Sequence, residues 1–248
     1  MDLLELIVEY HKDSERQGPG SVETTLKALS YIPHLNEKTK IIDIGCGTGG
    51  QTITLAKNTV SQITAIDLLP QFLEKLTKKA EENNLKDRIT VKEMSMDRLT
   101  FEEESFDVIW SEGAIYNIGF ENGLSLWRKY LKNNGYIAVS EISWLTDNRP
   151  EEIESYWANE YSEIDTIKNK LSVIKRCGYN NVAHFILDSR CWMENYYHPL
   201  LEKAEDFLKK YNYAPDAKKF IEEFIIEADM YDRFKNYYSY VFYIAEKR

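Results

Sequence analysis

The chain has 248 residues, of which 43% are hydrophobic, and it carries a formal net charge of −10 at neutral pH. This length predicts a single α/β domain, residues 1–248. The acidic balance argues against a nucleic-acid backbone as partner, since that partner requires a basic face. Three cysteines and four histidines lack disulfide or metal-ligand spacing, no apolar run reaches membrane-helix length, and the first residues lack the basic start of a signal peptide. We therefore expect a cytoplasmic protein without a metal.

Two helices are predicted ahead of the first strand. Residues 2–12 place leucine, isoleucine and tyrosine side chains on one helical face. Ser21 can cap a second helix, and Gly18-Pro19-Gly20 separates the two. Residues 1–36 are therefore predicted to form an N-terminal helical cap.

A glycine cluster between a strand and a helix is the most informative stretch of the sequence. The apolar run Lys40–Ile44 is typical of a buried parallel strand, and a helical pattern follows Gly45–Gly50. Such a turn lets a ligand approach the backbone closely, and the helix start is expected to offer it free N–H groups. The glycines fit the dinucleotide spacing G-x-G-x-x-G, and together with Asp43 they also fit D-x-G-x-G-x-G. Asp43 favours the second spacing; its buried carboxylate requires a partner, either a ligand ammonium or N–H groups of the turn.

The stretch Ile41–Thr52 resembles motif I of the class I S-adenosylmethionine-dependent methyltransferases. The resemblance implies a Rossmann-like, seven-stranded, mostly parallel sheet with an antiparallel last strand and helices on both faces. In many small-molecule members the chain ahead of this motif covers the cofactor. Arg16, Gln17 and Gly18 can therefore reach it, or they simply connect two helices. The implied cofactor contacts within the motif are Asp43, Gly45, Cys46, Gly47 and Gly49.

The next two strands supply further predicted cofactor contacts. Strand two, Gln62–Asp67, ends in an acidic residue where ribose hydroxyls are commonly bound. Asp67 and its neighbour Leu68 are predicted contacts, and capping of the following helix is the alternative role for Asp67. Strand three, Arg88–Met94, leads into a loop similar to the family's adenine-binding segment, although its usual Gly, Asp and Ala are replaced. From this likeness Ser95 and Met96 are predicted to contact adenine, with Asp97 in place of the missing acid.

Strand four, Ser105–Gly113, resembles the family's S-F-D-V-I strand. Its exit brings Ser111 and Glu112 to the carboxyl edge of the sheet, where ligands bind. Ser111 is predicted to contact the cofactor, and Glu112 and Tyr116 are predicted catalytic residues facing the acceptor. Glu112 would act as a base or beside the sulfonium, or it caps a helix. The absence of an N-P-P-Y motif here argues against nucleobase amines as acceptors.

The remaining core is predicted to end in two more strands. Strand five, Tyr136–Glu141, follows an Asn-Asn-Gly turn, and residues 150–176 read as helical. Strand six spans Val182–Leu187, and the aromatic, β-branched run Tyr237–Ala245 predicts an antiparallel strand seven. Residues 38–188 and 237–248 therefore form the predicted Rossmann-like core.

Residues 189–236 are predicted to be a helical insertion that a minimal member of this family lacks. Trp192, Tyr196 and Tyr197 stand at its start and either wall an acceptor pocket or pack among the inserted helices. His198 follows them and is the predicted polar, catalytic group of that pocket.

The nearest subgroup resembles the type 11, ubiquinone/menaquinone-biosynthesis-like methyltransferases. This resemblance implies in-line transfer of a methyl group from S-adenosylmethionine to a small-molecule acceptor, without nucleic-acid or membrane partners. Two other functions compete with it: non-catalytic binding of S-adenosylmethionine or S-adenosylhomocysteine, and an NAD-dependent oxidoreductase on the dinucleotide spacing. Asp43 and the order of the later motifs count against the oxidoreductase. The acceptor, its attacking atom and the oligomeric state are left open by the sequence.

Overall fold

A computed structural model describes residues 2–248; residue 1, the first of the predicted helical cap, lies outside the described residues. A central sheet organises the chain. Its strands are β1 (Lys40–Ile44), β2 (Gln62–Asp67), β3 (Ile89–Glu93), β4 (Phe106–Glu112), β5 (Leu131–Trp144), β6 (Asp165–Thr166), β7 (Tyr179–Ile186) and β8 (Tyr238–Lys247).

The sheet confirms the predicted fold class. The strand order is β3-β2-β1-β4-β5-β8-β7, and the two-residue β6 pairs with the end of β5. Strands β1 to β5 pair in parallel, whereas β8 runs antiparallel between β5 and β7. Because β1 lies between β2 and β4, the strand order reverses at this point. Open α/β sheets bind ligands at such a reversal, at the carboxyl ends of the strands.

Helices cover both faces of the sheet. They are α1 (Leu3–His11), α2 (Val22–Leu29), α3 (Gly50–Asn58), α4 (Pro70–Glu82), α5 (Phe120–Trp127), α6 (Glu151–Glu160), α7 (Ile167–Arg176), α8 (Arg190–Trp192), α9 (His198–Leu201), α10 (Ala204–Lys210) and α11 (Pro215–Phe234). A π-helical turn, Met193–Tyr197, joins α8 to α9. Ser21 caps α2 as predicted, since its hydroxyl accepts the N–H of Thr24.

Several predicted boundaries are wrong. The predicted strand six, Val182–Leu187, is β7 and begins at Tyr179, and the last strand is Tyr238–Lys247. Residues 150–176 form two helices rather than one, because the chain between α6 and α7 extends to pair with β5 and Thr166 then caps α7. Strand β5 begins at Leu131, and the Asn-Asn-Gly segment is a bulge within it rather than a turn before it. Asn134 adopts a φ of 59° in that bulge, a left-handed conformation that asparagine tolerates.

Side chains that alternate along the strands form two apolar layers, one on each face of the sheet. Trp110 of β4 and Trp192 of α8 belong to the layer that α1 and α11 cover. Trp127 of α5 belongs to the opposite layer. None of the helices in residues 2–248 combines the length and the hydropathy needed to cross a membrane. The cytoplasmic location and the division into cap, core and insertion stay predictions.

Candidate functional site

A cavity of about 970 Å³ opens above the carboxyl ends of β1 to β4. This volume lies at the upper end of the range for small-molecule sites. One part of its wall, here called the sheet-edge half, consists mainly of strand ends and the loops after them: Gly45, Cys46, Gly47, Asp67, Leu68, Ser95, Met96 and Asp97. The lid half is formed mainly by helices and includes Ile7, His11, Tyr116, Tyr156, Glu160, Tyr196, Glu223, Phe224 and Glu227.

The glycine turn has a backbone that requires glycine. Gly45, Gly47 and Gly49 have φ values of 74°, 53° and 88°, in the left-handed region. A Cβ on Gly45 would lie 2.5 Å from Ala114 Cβ, and one on Gly49 would lie 2.2 Å from Leu76 Cδ1. Gly45 and Gly47 line the cavity, together with Cys46. Gly49 does not, so its predicted cofactor contact is not supported; its role is to let α4 approach α3.

The N–H groups of Gly45 to Gly49, in the turn itself, all have protein acceptors, whereas those of the first three residues of α3, predicted to be free for a ligand, have none among the described residues. Gly45 and Cys46 donate to the carbonyl of Ile66. Gly47 donates its N–H to the Asp67 carboxylate. Thr48 donates to the side-chain oxygen of Gln17, and Gly49 donates to the carbonyl of Cys46. A ligand at this turn therefore meets a glycine backbone whose N–H groups already donate within the protein.

A strap, residues 12–21, lies over the turn. Gln17 Oε1 accepts the N–H of Thr48 at 2.7 Å and would lie 2.1 Å from a Cβ on Gly47. Arg16 of the strap forms a buried ion pair with Glu112, at 2.7 Å. Arg16, Gln17 and Gly18 all line the cavity, as expected for a segment that covers a cofactor.

Asp43 is fully buried beneath the turn and does not line the cavity. Thr52 donates its hydroxyl to Asp43 Oδ2 at 2.5 Å, and the Gln51 amide lies 3.4 Å from Oδ1. Burial raises the pKa of Asp43 to about 7. The prediction that a ligand ammonium or N–H groups of the turn pair with this carboxylate is wrong. Asp43 instead orients Gln51, which does line the cavity.

Asp67 occupies the predicted position at the end of β2, facing the cavity. One carboxylate oxygen accepts the N–H of Gly47 at 2.9 Å, and the other accepts the N–H of Leu69 at 3.0 Å. Burial raises its pKa. Each oxygen keeps a lone pair for a further donor, so the carboxylate can support the backbone and accept ligand hydroxyls together. Leu68 beside it is 59% exposed.

The loop after β3 completes the sheet-edge half. Ser95, Met96 and Asp97 line the cavity, and the Ser95 hydroxyl donates to the Asp97 carboxylate. Trp127 donates its indole N–H to the Met96 carbonyl at 2.8 Å, which fixes the loop against α5. The three predicted residues therefore lie together at one wall.

Two residues predicted from the exit of β4 have other roles. Ser111 is fully buried, donates its hydroxyl to the Ile44 carbonyl and does not line the cavity. Its predicted cofactor contact is wrong because its side chain points into the sheet layers. Glu112 lines the cavity, but Arg16, Thr25 and Trp110 all donate to its carboxylate at 2.7–2.9 Å. This carboxylate ties the strap and α2 to β4 and is not presented as a free base.

The aromatic residues of the predicted acceptor pocket divide into two groups. Tyr116 and Tyr196 line the cavity. Trp192 stacks on Tyr231 at 4.3 Å between ring centroids, and Tyr197 is fully buried, so both belong to the core of the insertion. For these two residues the core-packing alternative is correct.

His198 lies on the exposed surface outside the cavity, so its predicted catalytic role is wrong. The histidine of the site is His11 of α1. Its Nδ1 lies 2.9 Å from the carbonyl of Ile7, which assigns the proton to Nδ1 and leaves Nε2 as an acceptor, 3.4 Å from the Tyr196 hydroxyl. Burial lowers the pKa of His11, so the ring is neutral near pH 7.

Sequence reasoning missed the contribution of α11. Phe220, Glu223, Phe224 and Glu227 all line the cavity, at the i, i+3, i+4 and i+7 spacing of one helical face. The signal in the sequence was that these glutamates share a helical face with apolar residues, whereas the glutamates of a solvent-exposed face have polar neighbours. Tyr156 and Glu160 of α6 were missed as well.

Comparisons with known proteins agree with this geometry. The family model described as a methyltransferase domain matches residues 35–205. The phosphoethanolamine N-methyltransferase of Plasmodium falciparum is 28% identical over 209 residues, 82% of this chain and 75% of that protein. The sarcosine/dimethylglycine N-methyltransferase of Aphanothece halophytica is 28% identical over 142 residues, 57% of this chain and 51% of that protein.

A solved structure shares the fold of the chain. It is that of the S-adenosylmethionine-dependent methyltransferase from Geobacter sulfurreducens, in complex with S-adenosylhomocysteine. It matches with a TM-score of 0.86 at 19% identity and covers 100% of this chain and 99% of its own.

Proposed function

The chain belongs to the methyltransferase domain family, and from this premise we propose that it transfers the methyl group of S-adenosylmethionine to a small molecule held in the lid half of the cavity. The observation that carries the proposal is that the sheet-edge half and the lid half are parts of one cavity. When bound, S-adenosylmethionine supplies a methyl group on a positively charged sulfur. The family match favours the spacing that begins at Asp43 and counts against an NAD-dependent oxidoreductase.

The residues of the sheet-edge half fit the parts of this cofactor. Gly45 and Gly47 have no side chain to block a ligand at the turn, and Gln51 presents its amide beside them. Asp67 can accept hydrogen bonds from the ribose hydroxyls, as the ends of such strands commonly do. Ser95 and Met96, with Leu68 on the other side, would hold the adenine ring.

The lid half fits the acceptor. Tyr116 stands after β4, where both halves meet, and its ring can face a cationic sulfur. Positioning the acceptor and limiting the access of water are the main contributions a protein makes to direct displacement, and the walls of the lid half would provide both. The descriptions of the two relatives name phosphoethanolamine and sarcosine, so both of those proteins act on small molecules.

The turn provides the sharpest test. Replacement Gly47→Val should lower the affinity for S-adenosylhomocysteine at least a hundredfold, because the new side chain must displace Gln17 and occupy the cavity wall. Gly18→Ala is the matched control: it also lines the cavity, but an added Cβ has no neighbour within 4 Å. Titration calorimetry measures both affinities, and circular dichroism checks that each variant is folded.

A screen of small metabolites with methyl-labelled S-adenosylmethionine tests the transfer itself. We expect label in an extractable small molecule together with formation of S-adenosylhomocysteine. A folded wild-type protein without affinity for S-adenosylhomocysteine, or a Gly47→Val variant that binds it as tightly as wild type, would contradict the proposed function.

A further inference from the structure

The lid half has an unusual charge balance. Glu227 lies within it, and Glu160 and Glu223 stand on exposed positions of its wall. Among the cavity-lining residues of the described chain, Arg16 is the one arginine or lysine, and it is already paired with Glu112. An anionic acceptor would therefore meet carboxylates without a free basic side chain, which disfavours any acceptor carrying a phosphate.

Glu227 is a carboxylate with unused capacity. Its Oε1 accepts the hydroxyl of Tyr197 at 2.8 Å, and within residues 2–248 its Oε2 has no hydrogen-bond partner. Burial raises its pKa, with the nearby Glu160 adding to the effect. Glu227 is half-buried, and a carboxylate that is partly removed from water is stabilised by a cation or a donor that pairs with it. The site therefore gains free energy when a ligand brings a positive charge to Oε2.

Tyr240 of β8 gives an independent indication of a polar ligand. The residue is only 9% exposed, and within the described chain its hydroxyl has no hydrogen-bond partner. That hydroxyl would lie 3.6 Å from a Cβ on Gly113, a residue of the cavity wall. A tyrosine hydroxyl can accept a hydrogen bond, and a ligand with N–H groups would provide the donor.

We propose that the acceptor is a small amine, bound as its cation between the Glu227 carboxylate and the rings of Tyr116, Tyr156 and Tyr196, with an N–H group donated to the Tyr240 hydroxyl. This inference rests on the proposed function. Carboxylates and tyrosine faces together are the groups that recognise ammonium ions. Before transfer the ammonium gives one proton to Glu227. The freed lone pair on nitrogen then forms the N–C bond as the C–S bond breaks. The two electrons of the C–S bond stay on sulfur, so the positive charge moves from sulfur to nitrogen.

The test compares matched ligands on the protein saturated with S-adenosylhomocysteine. Calorimetry would use butylamine and phenethylamine, each against its alcohol, butanol or phenethyl alcohol, and 3-phenylpropanoate as the anion. We expect at least one amine to bind ten or more times more tightly than its alcohol, and no binding of the anion. Turnover with the bound amine gives a second readout, formation of S-adenosylhomocysteine in the presence of S-adenosylmethionine.

Three variants test which residues cause the preference for the amine. Glu227→Gln should lower the amine affinity at least tenfold and leave the affinities for the alcohol and for S-adenosylhomocysteine unchanged. Tyr240→Phe should lower the amine affinity by a smaller factor and provides a second probe if the first variant is unstable. Glu222→Gln is the control, because Glu222 is an exposed carboxylate of α11 that does not line the cavity.

Each contrary result has a distinct meaning. Intact S-adenosylhomocysteine binding with no preference for either amine, or with the same amine affinity in both Glu227→Gln and Tyr240→Phe as in wild type, overturns the amine assignment and leaves the methyltransferase proposal standing. Absence of S-adenosylhomocysteine binding in the wild-type protein overturns the proposed function and this inference with it.

Discussion

The two halves of the cavity are formed by different kinds of groups. The sheet-edge half consists of a glycine backbone and short loops, and its polar groups pair with one another, as Asp67 does with Gly47. The lid half consists mainly of long side chains from α1, α6 and α11, and the Glu227 Oε2 atom within it has no partner in the described residues. The sheet-edge half therefore fits a ligand mainly by its shape, and the lid half offers it polar atoms that are free to form hydrogen bonds. Selectivity for the acceptor is expected to lie in the second half.

The largest expected effect is on stability, and it distinguishes the buried core of the insertion from the lid half of the cavity. Trp192→Ala should destabilise the protein by about 3–5 kcal/mol, the usual range for truncating a buried aromatic residue, because Trp192 is 2% exposed and stacks on Tyr231. The affinity of the folded variant for S-adenosylhomocysteine should stay within about twofold of wild type, since Trp192 is not part of the cavity wall.

Urea denaturation and calorimetry measure these two quantities. Tyr31→Ala is the control, since Tyr31 is an aromatic residue with 38% exposure. A Trp192→Ala variant of normal stability that fails to bind would place this residue in the ligand site after all.

A smaller expected effect is the pH dependence of stability that Asp43 causes beneath the glycine turn. The pKa of Asp43 is raised to about 7 in the folded protein from the usual 3.8, so the fold binds this proton more tightly than the unfolded chain does. The resulting stability is fully present below the unfolded pKa and is lost as the pH rises towards 7. Between about pH 5.5 and 7.5, wild type should lose about 2 kcal/mol relative to Asp43→Asn, which has no proton to lose.

Urea denaturation of both proteins at the two pH values measures that difference. Asp87→Asn is the control and should follow wild type, since Asp87 is exposed. If Asp43→Asn shows the same pH dependence as wild type, the carboxyl group of Asp43 is not held in its neutral form by burial.

The smallest expected effect lies at the ribose end of the sheet-edge half. Asp67→Asn keeps an acceptor for the Gly47 N–H but removes the negative charge. We expect about a fivefold loss of S-adenosylhomocysteine affinity, or about 1 kcal/mol, the difference between charged and neutral hydrogen bonds. Calorimetry at equal pH measures it, with Asp87→Asn again as control. An unchanged affinity would leave Asp67 with a purely backbone-supporting role.

The sheet-edge half was largely predictable from the sequence because its signals are local. The predicted bounds of β1 and β2 match the structure residue for residue, since each is an apolar run bounded by turn or capping residues. Asp67 and Ser95 follow strand ends, and parallel strand ends meet at one edge. The details of the turn were harder to predict, because Thr48 donates its N–H to Gln17 of the distant strap and Gly47 donates to Asp67 at the end of β2.

The lid half was poorly predictable because its residues meet only through tertiary packing. Periodicity indicates which residues of an insertion share a face, but not which neighbour that face meets. His198 was therefore placed in a pocket that it does not reach, and Glu227 was overlooked because most helical glutamates face solvent. Glu112 shows a further difficulty, since its partner Arg16 lies 96 residues away in the sequence.

The strap has a consequence for the timing of ligand exchange. Gly20 donates its N–H to the Cys191 carbonyl and accepts the Asn195 amide, while Gln17 holds the glycine turn. The same short segment is thus bonded to the turn at one end and to the insertion at the other. Its opening would release both contacts together, so that product departure and renewed loading share a single gating step. Substitutions in the strap are therefore expected to change the rates of ligand exchange.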